Sequence, residues 1–206
     1  MKKNRLKIYL IINITIVIME AIGLTMATIS RRATTFQYYT QLSNLFLMIT
    51  SVINVFFTAR VLAGKRKNIP RLANVLSYSA ICTTTVTLLV VLFVLSWMVG
   101  DLVWILTSGA MIYTHTLCPI LAIVMFTCFA PQKLAKRDAF LALLPTVAYG
   151  IVAIAMNIAH LWYGPYPFLL VYNQPIWASI AWILGMFTGA YLIARILLIP
   201  NLKRKA

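Results

Sequence analysis

The chain has 206 residues, of which 62% are hydrophobic, and its eighteen Lys and Arg residues against three acidic residues give a net charge of +15. A soluble protein with this charge would suggest nucleic-acid binding, but a mean hydropathy of +0.91 leaves no polar body on which a basic patch could be displayed. The composition therefore excludes a nucleic-acid-binding protein and indicates a chain that lies largely within a lipid bilayer.

Six apolar runs are long enough to cross a membrane. A helix needs roughly 20 apolar residues to span a hydrocarbon core of about 30 Å, and uninterrupted runs of this length do not suit the strands of a barrel. We therefore predict an all-α integral membrane protein with a single domain over residues 1–206, built as a six-helix bundle. The predicted spans are residues 8–29, 37–58, 73–96, 108–129, 138–160 and 176–199. The first run is longer than the 7–15 residues of a signal-peptide core, so we predict that it is a retained span.

The basic residues divide unequally between the two sides of these spans. Arg31 and Arg32, between the first two runs, are the only basic residues on one side, and the other sixteen lie on the opposite side. The positive-inside rule then predicts a multi-pass protein of the cell membrane with both termini in the cytoplasm. The sixteen residues predicted to be cytoplasmic are Lys2, Lys3, Arg5, Lys7, Arg60, Lys65, Arg66, Lys67, Arg71, Lys133, Lys136, Arg137, Arg195, Lys203, Arg204 and Lys205.

Cysteine usage and soluble-enzyme motifs give no sign of a cofactor. Cys82, Cys118 and Cys128 all lie within predicted spans and show no C-x-x-C spacing, so neither a disulfide framework nor a zinc site is predicted. The sequence contains no P-loop, G-x-G-x-x-G, HExxH or G-x-S-x-G motif. We predict no metal site and no cofactor, and the sequence leaves the oligomeric state open.

Polar residues line one face of three predicted spans. At 100° per residue, seven polar residues of the second span fall within about 60° of one line, a stripe that a lipid-facing helix would not carry. The fourth and fifth spans have similar faces, so we predict an interior cleft shared by the three helices. The faces comprise Gln37, Thr40, Ser43, Asn44, Ser51, Asn54 and Thr58 on the second span, Ser108, Met111, His115, Cys118 and Pro119 on the fourth, and Thr146, Tyr149, Gly150, Asn157 and His160 on the fifth.

The predicted topology places three ionisable residues, Glu20, His115 and His160, toward the outer end of the bundle. His115 and Glu20 lie within spans, where an ionisable side chain is costly enough to favour a functional role. His160 and Asn157 lie at the outer end of the fifth span. Asp101 and Asp138 are predicted to be solvated loop or helix-start residues.

An aromatic, proline-rich segment follows the fifth span. Residues 160–175 are too short and too broken by proline to form a span, and their aromatic side chains suit the headgroup layer. The segment is either an ordinary aromatic belt or a lid over the cleft, held stiff by Pro165, Pro167 and Pro175. Pro119, one turn after His115, is expected to kink the fourth span. The lid or interface residues are Trp162, Tyr163, Tyr166 and Phe168.

Three stretches together resemble a known family. Residues 36–44 (FQYYTQLSN), 113–119 (YTHTLCP) and 163–168 (YGPYPF) resemble the androgen-induced-protein family of six-span membrane proteins, with this chain a bacterial-type member. The animal members of that family hydrolyse fatty acid esters of hydroxy fatty acids with an intramembrane threonine and histidine. The resemblance implies that Thr40 is the nucleophile and that His115 is its base. The chain departs from the family pattern at Ser43, where the family has Asn or Asp, and at Met125, where many relatives are acidic.

The leading hypothesis is an intramembrane hydrolase of fatty acyl esters, or an acyltransferase, with membrane lipids and a lipid ester as its partners. Neutral His115 would take the proton of the Thr40 hydroxyl, and an acyl-threonine would form and then hydrolyse. Candidate donors to the developing oxyanion are Ser43, Asn44 and Asn157. Glu20 or His160 would orient the His115 ring.

Two other classes of function remain open. In a small transporter or lipid-headgroup binder, His115, His160 and Glu20 would handle protons or a cation, and deeper polar residues would extend the cleft into a path. Those deeper residues are Asn54, Thr58, Ser79, Thr83 and Thr87. In an accessory subunit, the polar face would instead pair with another membrane protein.

Overall fold

The computed structural model describes residues 3–131, 134–164 and 166–203. Six helices in these ranges are long and apolar enough to cross a membrane, and no strand occurs in them, which confirms an all-helical chain with six candidate spans. Spans 1 to 6 are Lys3–Arg31, Tyr39–Leu62, Arg71–Met98, Ile112–Phe129, Asp138–Ile158 and Ile176–Lys203. The predicted cytoplasmic residues Lys2, Lys133, Arg204 and Lys205 and the predicted lid residue Pro165 lie outside the described ranges.

The ends of the spans differ from the prediction for local reasons. Spans 1 and 6 continue past their apolar stretches because Lys and Arg are good helix formers whose charged ends can reach the membrane surface. Span 4 begins at Ile112 instead of near residue 108, after Gly109 adopts a φ of +51°. The short helix Leu102–Thr107 precedes it, and the Asp101 carboxylate caps that helix by accepting the Trp104 N–H at 2.8 Å.

Span 3 lies at the centre of the bundle. Its most apolar stretch is 56% buried, against 22% for spans 5 and 6, and it packs against spans 2, 4 and 6. Ser79 donates to the Ala142 carbonyl, and Thr83 donates to the Ala80 carbonyl one turn back on its own helix. Since these hydroxyls have protein acceptors, Ser79 and Thr83 act as packing residues of the core.

The end of the bundle at which spans 1 and 2 are joined is called the Arg31 end, and the opposite one the Arg71 end. At the Arg71 end, the Arg71 guanidinium donates to both carboxylate oxygens of Asp138, at 2.7 and 3.0 Å. Asp138 also accepts the Ala135 N–H at 2.7 Å and is fully buried. Asp138 is the first residue of span 5, which confirms the predicted helix start, but it is not solvated, because three donor contacts compensate the burial of its charge. Nearby, Arg5 donates to the Cys128 carbonyl.

The polar stripe of span 2 faces the interior of the bundle. Six of its seven predicted members are buried, and Gln37 is exposed because the helix begins only at Tyr39. The stripe therefore packs against spans 1 and 3, with which span 2 makes its largest contacts. At the Arg31 end, the stripe begins with Thr40.

Candidate functional site

A cavity of about 470 Å³ opens at the Arg31 end. We call it the His115 cavity. Its walls come from spans 1 to 4, with Leu95 from span 3, from the connection that precedes span 4, and from the aromatic segment after span 5. Thr40 and His115 both line it, although 75 positions separate them in the chain. The two residues that the resemblance implies to be catalytic therefore face one common space.

Thr40 lies in the first turn of span 2, where Tyr38 is extended and the helix begins. Its side chain is 5% exposed. Its backbone N–H donates to the Tyr166 hydroxyl at 3.3 Å, and its carbonyl accepts from Ser43 and Asn44 at 2.9 and 2.6 Å. These three contacts engage both the N–H and the carbonyl of Thr40, so they fix the backbone position that carries the hydroxyl.

His115 is held by a backbone carbonyl. Its Nδ1 lies 3.0 Å from the carbonyl oxygen of Ile105, in the short helix before span 4. Because a carbonyl only accepts, Nδ1 carries the proton, and the neutral ring keeps its lone pair on Nε2. Nε2 has no hydrogen-bond partner among the described residues, and the ring is 7% exposed. The imidazole is therefore held in the tautomer that a general base requires.

The helix around His115 departs from α-helical geometry. Residues Ile112–Leu117 form π-helical turns, and Pro119 follows them. Pro119 has no N–H to donate to the turn before it, which accounts for a widened helix at this point. The structure thus has a π-helical segment that carries His115, and the kink predicted at Pro119 stays a prediction.

No hydrogen bond joins the Thr40 hydroxyl to the His115 ring within the described part of the chain. The two segments are instead tied together by Asn44, whose amide nitrogen donates to the Thr40 carbonyl at 2.6 Å and to the Thr114 carbonyl at 2.9 Å. Thr114 immediately precedes His115. Catalytic hydrogen bonds often become short only when substrate binds. By linking the backbones of the two segments, Asn44 holds Thr40 and His115 in position for such a contact.

We expect the Asn44 tie to contribute measurably to stability. Asn44 and Asn54 are both fully buried on span 2, but the Asn54 amide has no hydrogen-bond partner among the described protein groups. Replacing either with alanine removes the same atoms, whereas only Asn44→Ala breaks the two bonds. The free energy of unfolding in detergent should fall by about 1 kcal/mol more for Asn44→Ala than for Asn54→Ala. Equal losses would show that the tie contributes nothing.

Tyr166 places a third polar group beside Thr40. Its side chain is 4% exposed and its ring stacks on Phe168 at 5.3 Å. Burial raises the pKa of the Tyr166 hydroxyl to about 12, and the adjacent backbone and side chain of Thr40 lower it in part. Since the oxygen accepts the Thr40 N–H, the phenolic proton remains free to be donated. At neutral pH Tyr166 is therefore a hydrogen-bond donor at the rim of the cavity.

Two residues predicted to support the site lie elsewhere. Asn157 accepts the Val171 N–H at 3.0 Å and donates weakly to the Trp162 carbonyl, so it fastens the aromatic segment. His160 lies past the end of span 5 with a φ of +55°, is exposed and stacks on Tyr172 at 4.7 Å. Neither of them lines the His115 cavity. The predictions of an oxyanion donor at Asn157 and an orienting group at His160 therefore receive no support from the geometry.

Glu20 is fully buried on span 1, and neither of its carboxyl oxygens has a well-formed hydrogen bond. The polar group that approaches it is the Cys118 thiol, one turn after His115. The Ile105 carbonyl, and not Glu20, holds the His115 ring.

Ser43 and Asn44 direct their donors to the Thr40 carbonyl instead of into the cavity. The predicted oxyanion donors on span 2 are thus structural.

The aromatic segment after span 5 covers the His115 cavity at the Arg31 end. Its two buried aromatic residues, Tyr166 and Phe168, lie over Thr40 and against Trp182 of span 6. Trp162 donates from its indole N–H to the Gln37 side chain at 3.1 Å, and Tyr163 is 73% exposed. The segment is a cover with a buried inner face and an exposed outer one.

Two further residues of the cavity wall were not anticipated. Gln41 lies about 100° around the helix from Thr40, outside the predicted stripe, yet it is buried against the cavity. Arg31 stands at the end of span 1 with its guanidinium 4.5 Å from the centre of the Tyr38 ring. Because Arg31 shortly precedes the polar stripe of span 2 in the sequence, a basic residue at the mouth of the site could have been predicted from that position.

The described residues contain no group of three His, Cys, Asp or Glu side chains that could hold a metal ion. Comparison of the chain with models of protein families, with characterised proteins and with solved structures found no match.

Proposed function

We propose that this chain is an intramembrane hydrolase of fatty acyl esters that uses Thr40 as its nucleophile and His115 as its general base. The observation that supports this most is the shared cavity, which is lined by Thr40 and by a histidine whose Nδ1–H is bonded to the Ile105 carbonyl. The resemblance of three stretches to the androgen-induced-protein family agrees with this assignment. The protein would act in the cell membrane with both termini in the cytoplasm, so that the Arg31 end lies at the outer surface.

The proposed reaction has two half-reactions. His115 Nε2 takes the proton of Thr40 Oγ1 as this oxygen attacks the ester carbonyl carbon. The imidazolium then returns that proton to the departing alkoxide, so that an alcohol leaves and an acyl-threonine remains. Water, deprotonated by the same Nε2, attacks the acyl-threonine, and the imidazolium gives that proton to the departing Thr40 oxygen, so that the products are a fatty acid, the free Thr40 hydroxyl and neutral His115. The net reaction consumes one ester and one water.

Tyr166 is the donor proposed to stabilise the oxyanion. Its phenolic proton is free and its oxygen lies 3.3 Å from the Thr40 nitrogen. A hydrogen bond to the developing charge is strengthened in a recess of low dielectric constant. This assigns to the aromatic cover a chemical role in addition to the exclusion of water.

Replacing Tyr166 with phenylalanine should lower kcat by about 10²- to 10³-fold, because one oxyanion donor is lost while the ring stack on Phe168 is kept. The measurement is hydrolysis of a chromogenic fatty acyl ester by the purified protein in detergent. Tyr163→Phe is the matched control, since that exposed hydroxyl lies near Asn173 and away from Thr40. Undiminished kcat in Tyr166→Phe would refute the assignment.

The proposed function itself is tested by turnover of wild-type protein in lipid nanodiscs. We expect release of fatty acid from long-chain esters, and covalent labelling of Thr40 by an alkyl fluorophosphonate. A purified, monodisperse protein that releases no fatty acid from a panel of acyl esters and takes up no label would contradict the proposal. Transfer of the acyl group to an alcohol instead of water would keep the dyad and identify an acyltransferase.

One observation favours a second candidate function, proton or cation transport. Glu20 on span 1 and Ser51, Asn54 and Thr58 on span 2 carry buried polar atoms with no hydrogen-bond partner among the described protein groups. These groups extend from the level of the site toward the Arg71 end. A proton flux into proteoliposomes that Glu20→Gln abolishes and Thr40→Ala leaves intact would favour transport over hydrolysis.

A further inference from the structure

A second recess meets the site at Thr40. It lies between spans 3, 5 and 6 beneath the aromatic cover, and we call it the apolar groove. Thr40 and Tyr166 line both this groove and the His115 cavity. The proposed nucleophile and the proposed oxyanion donor therefore stand at the junction of two separate spaces.

The groove presents almost no polar atoms. Its walls carry Tyr39, Thr87, Thr146 and Tyr149, but each of these hydroxyls is already paired. Tyr39 and Thr146 bond each other at 2.8 Å, Thr87 bonds Ser43 at 2.9 Å, and Tyr149 donates to the Gln37 carbonyl at 2.9 Å. Among the hydroxyls of the groove wall, only those of Thr40 and Tyr166 have no partner outside this pair, since the Tyr166 oxygen accepts the Thr40 N–H and adjoins the Thr40 side chain.

The His115 cavity is more polar than the groove, although much of its wall is also apolar. It carries the Arg31 guanidinium, the Gln41 amide and the His115 ring. The two spaces on either side of Thr40 thus differ in chemistry, one suited to an alkyl chain and the other to a polar group and water.

The order of the proposed reaction decides which part of an ester lies on which side. The leaving alkoxide must take a proton from His115, so the alcohol part belongs in the His115 cavity. After it departs, the hydrolytic water must meet the same Nε2 and therefore occupies the same space. The acyl part stays on Thr40 throughout and needs a different, dry space, which the apolar groove supplies.

We propose, on the basis of the function proposed above, that the apolar groove binds the acyl chain of the substrate and that Gly150 of span 5 sets how much chain it admits. A Cβ atom added at Gly150 would lie 3.4 Å from Cζ of Phe187 on span 6. Gly150 and Phe187 therefore face each other in the groove wall, and a side chain larger than alanine at position 150 would meet the Phe187 ring. Trp182 of the span 6 wall is 39% exposed, so the groove lies next to the outer surface of the bundle, from which we propose that the chain enters.

The test compares chain-length profiles. We expect Gly150→Leu to lower kcat/KM for palmitoyl esters by about 10-fold or more while butyryl esters are hydrolysed as by wild type, because the leucine side chain fills the groove beyond its first carbons. Gly150→Ala should change little, since its Cβ makes an ordinary contact with Phe187. Gly185→Leu is the matched control, because an added Cβ on that span 6 glycine meets nothing within 4 Å and Gly185 does not line the groove.

A binding measurement separates this inference from the proposed function. A palmitoyl ester with a mid-chain diazirine, bound to Thr40→Ala and irradiated, should crosslink to Met186 or Phe187, and Gly150→Leu in that background should lose the crosslink. Equal loss of palmitoyl and butyryl turnover in Gly150→Leu, or crosslinks unaffected by it, would overturn the acyl-groove assignment. Absence of all ester turnover in wild type, with the crosslink present, would overturn the hydrolase and leave the groove as an acyl-binding site.

Discussion

Thr40→Ala is expected to reduce ester hydrolysis to the background of the lipid preparation, a loss of at least about 10⁴-fold in kcat. The reason is that alanine removes the only proposed atom to which the acyl group could be attached. The fold should survive, because the hydrogen bonds that hold this position use the Thr40 backbone N–H and carbonyl, not its side chain. The measurement is fatty acid release by purified variants, with fluorophosphonate labelling in parallel.

Two variants control the Thr40 experiment. Thr50→Ala removes a buried hydroxyl from the same helix, one that donates to the Leu47 carbonyl and lines neither recess, and it should keep full activity. Thr40→Ser keeps a nucleophilic hydroxyl and should keep both labelling and a measurable part of the turnover. Fluorophosphonate labelling that persists in Thr40→Ala would remove the nucleophile assignment and direct attention to another hydroxyl of the cavity.

The six spans were predictable because bilayer thickness imposes a length on every helix that crosses it. The ends were less predictable, since they depend on single residues. Gly109 adopts a left-handed conformation that delays span 4 to Ile112, and span 5 stops at Ile158, two residues before His160. The orientation predicted from Arg31, Arg32 and the opposite basic clusters stays a prediction, because no membrane defines the two sides.

The site was predictable to the extent that depth and helical phase define it. Thr40 and His115 were placed at similar depth by counting residues, and both line the same cavity. Asn157 also had the right depth, but its side chain is directed to the Val171 N–H, and depth alone contains no information about such a partner. Residue counting therefore predicts the depth of a site in the membrane, whereas tertiary packing determines which side chains form it.

The groups that complete the site come from segments without helical periodicity. The Ile105 carbonyl belongs to a connection, and Tyr166 to an irregular, proline-rich segment. A backbone carbonyl has no sequence signal at all, and an aromatic residue at a membrane surface has a common alternative role as an interface anchor. Both contributions could be recognised only from the contacts across the bundle.

The polarity of the two recesses is compatible with the proposed hydrolysis at this depth. Water must reach the acyl-threonine without entering the bilayer. The His115 cavity, with Arg31 at its mouth, can hold that water at the Arg31 end, whereas the paired hydroxyls of the apolar groove leave little to hold it on the other side. Thr40 stands at the boundary between the two, which is where the carbonyl of a membrane-embedded ester has to meet water.

His115→Gln should lower kcat by about 10²- to 10⁴-fold with little change in KM. Glutamine approximates the length and volume of histidine and is uncharged, so the π-helical segment and the cavity wall should persist. Glutamine has no basic nitrogen at the position of Nε2, so it cannot take the proton of the Thr40 hydroxyl. The measurement is steady-state hydrolysis of a long-chain ester by variants whose thermal unfolding matches wild type.

The chain contains a matched control for this substitution, because it has two histidines. His160→Gln changes an exposed ring that stacks on Tyr172 and does not line the His115 cavity, so it should leave kcat within about twofold of wild type. Imidazole added to a His115→Ala variant should restore part of the lost turnover, since the cavity of about 470 Å³ that contains the truncated position can admit a free base. Undiminished turnover in His115→Gln, or an equal loss in His160→Gln, would mean that the proton of Thr40 is taken by some other group and that the dyad is not the catalytic unit.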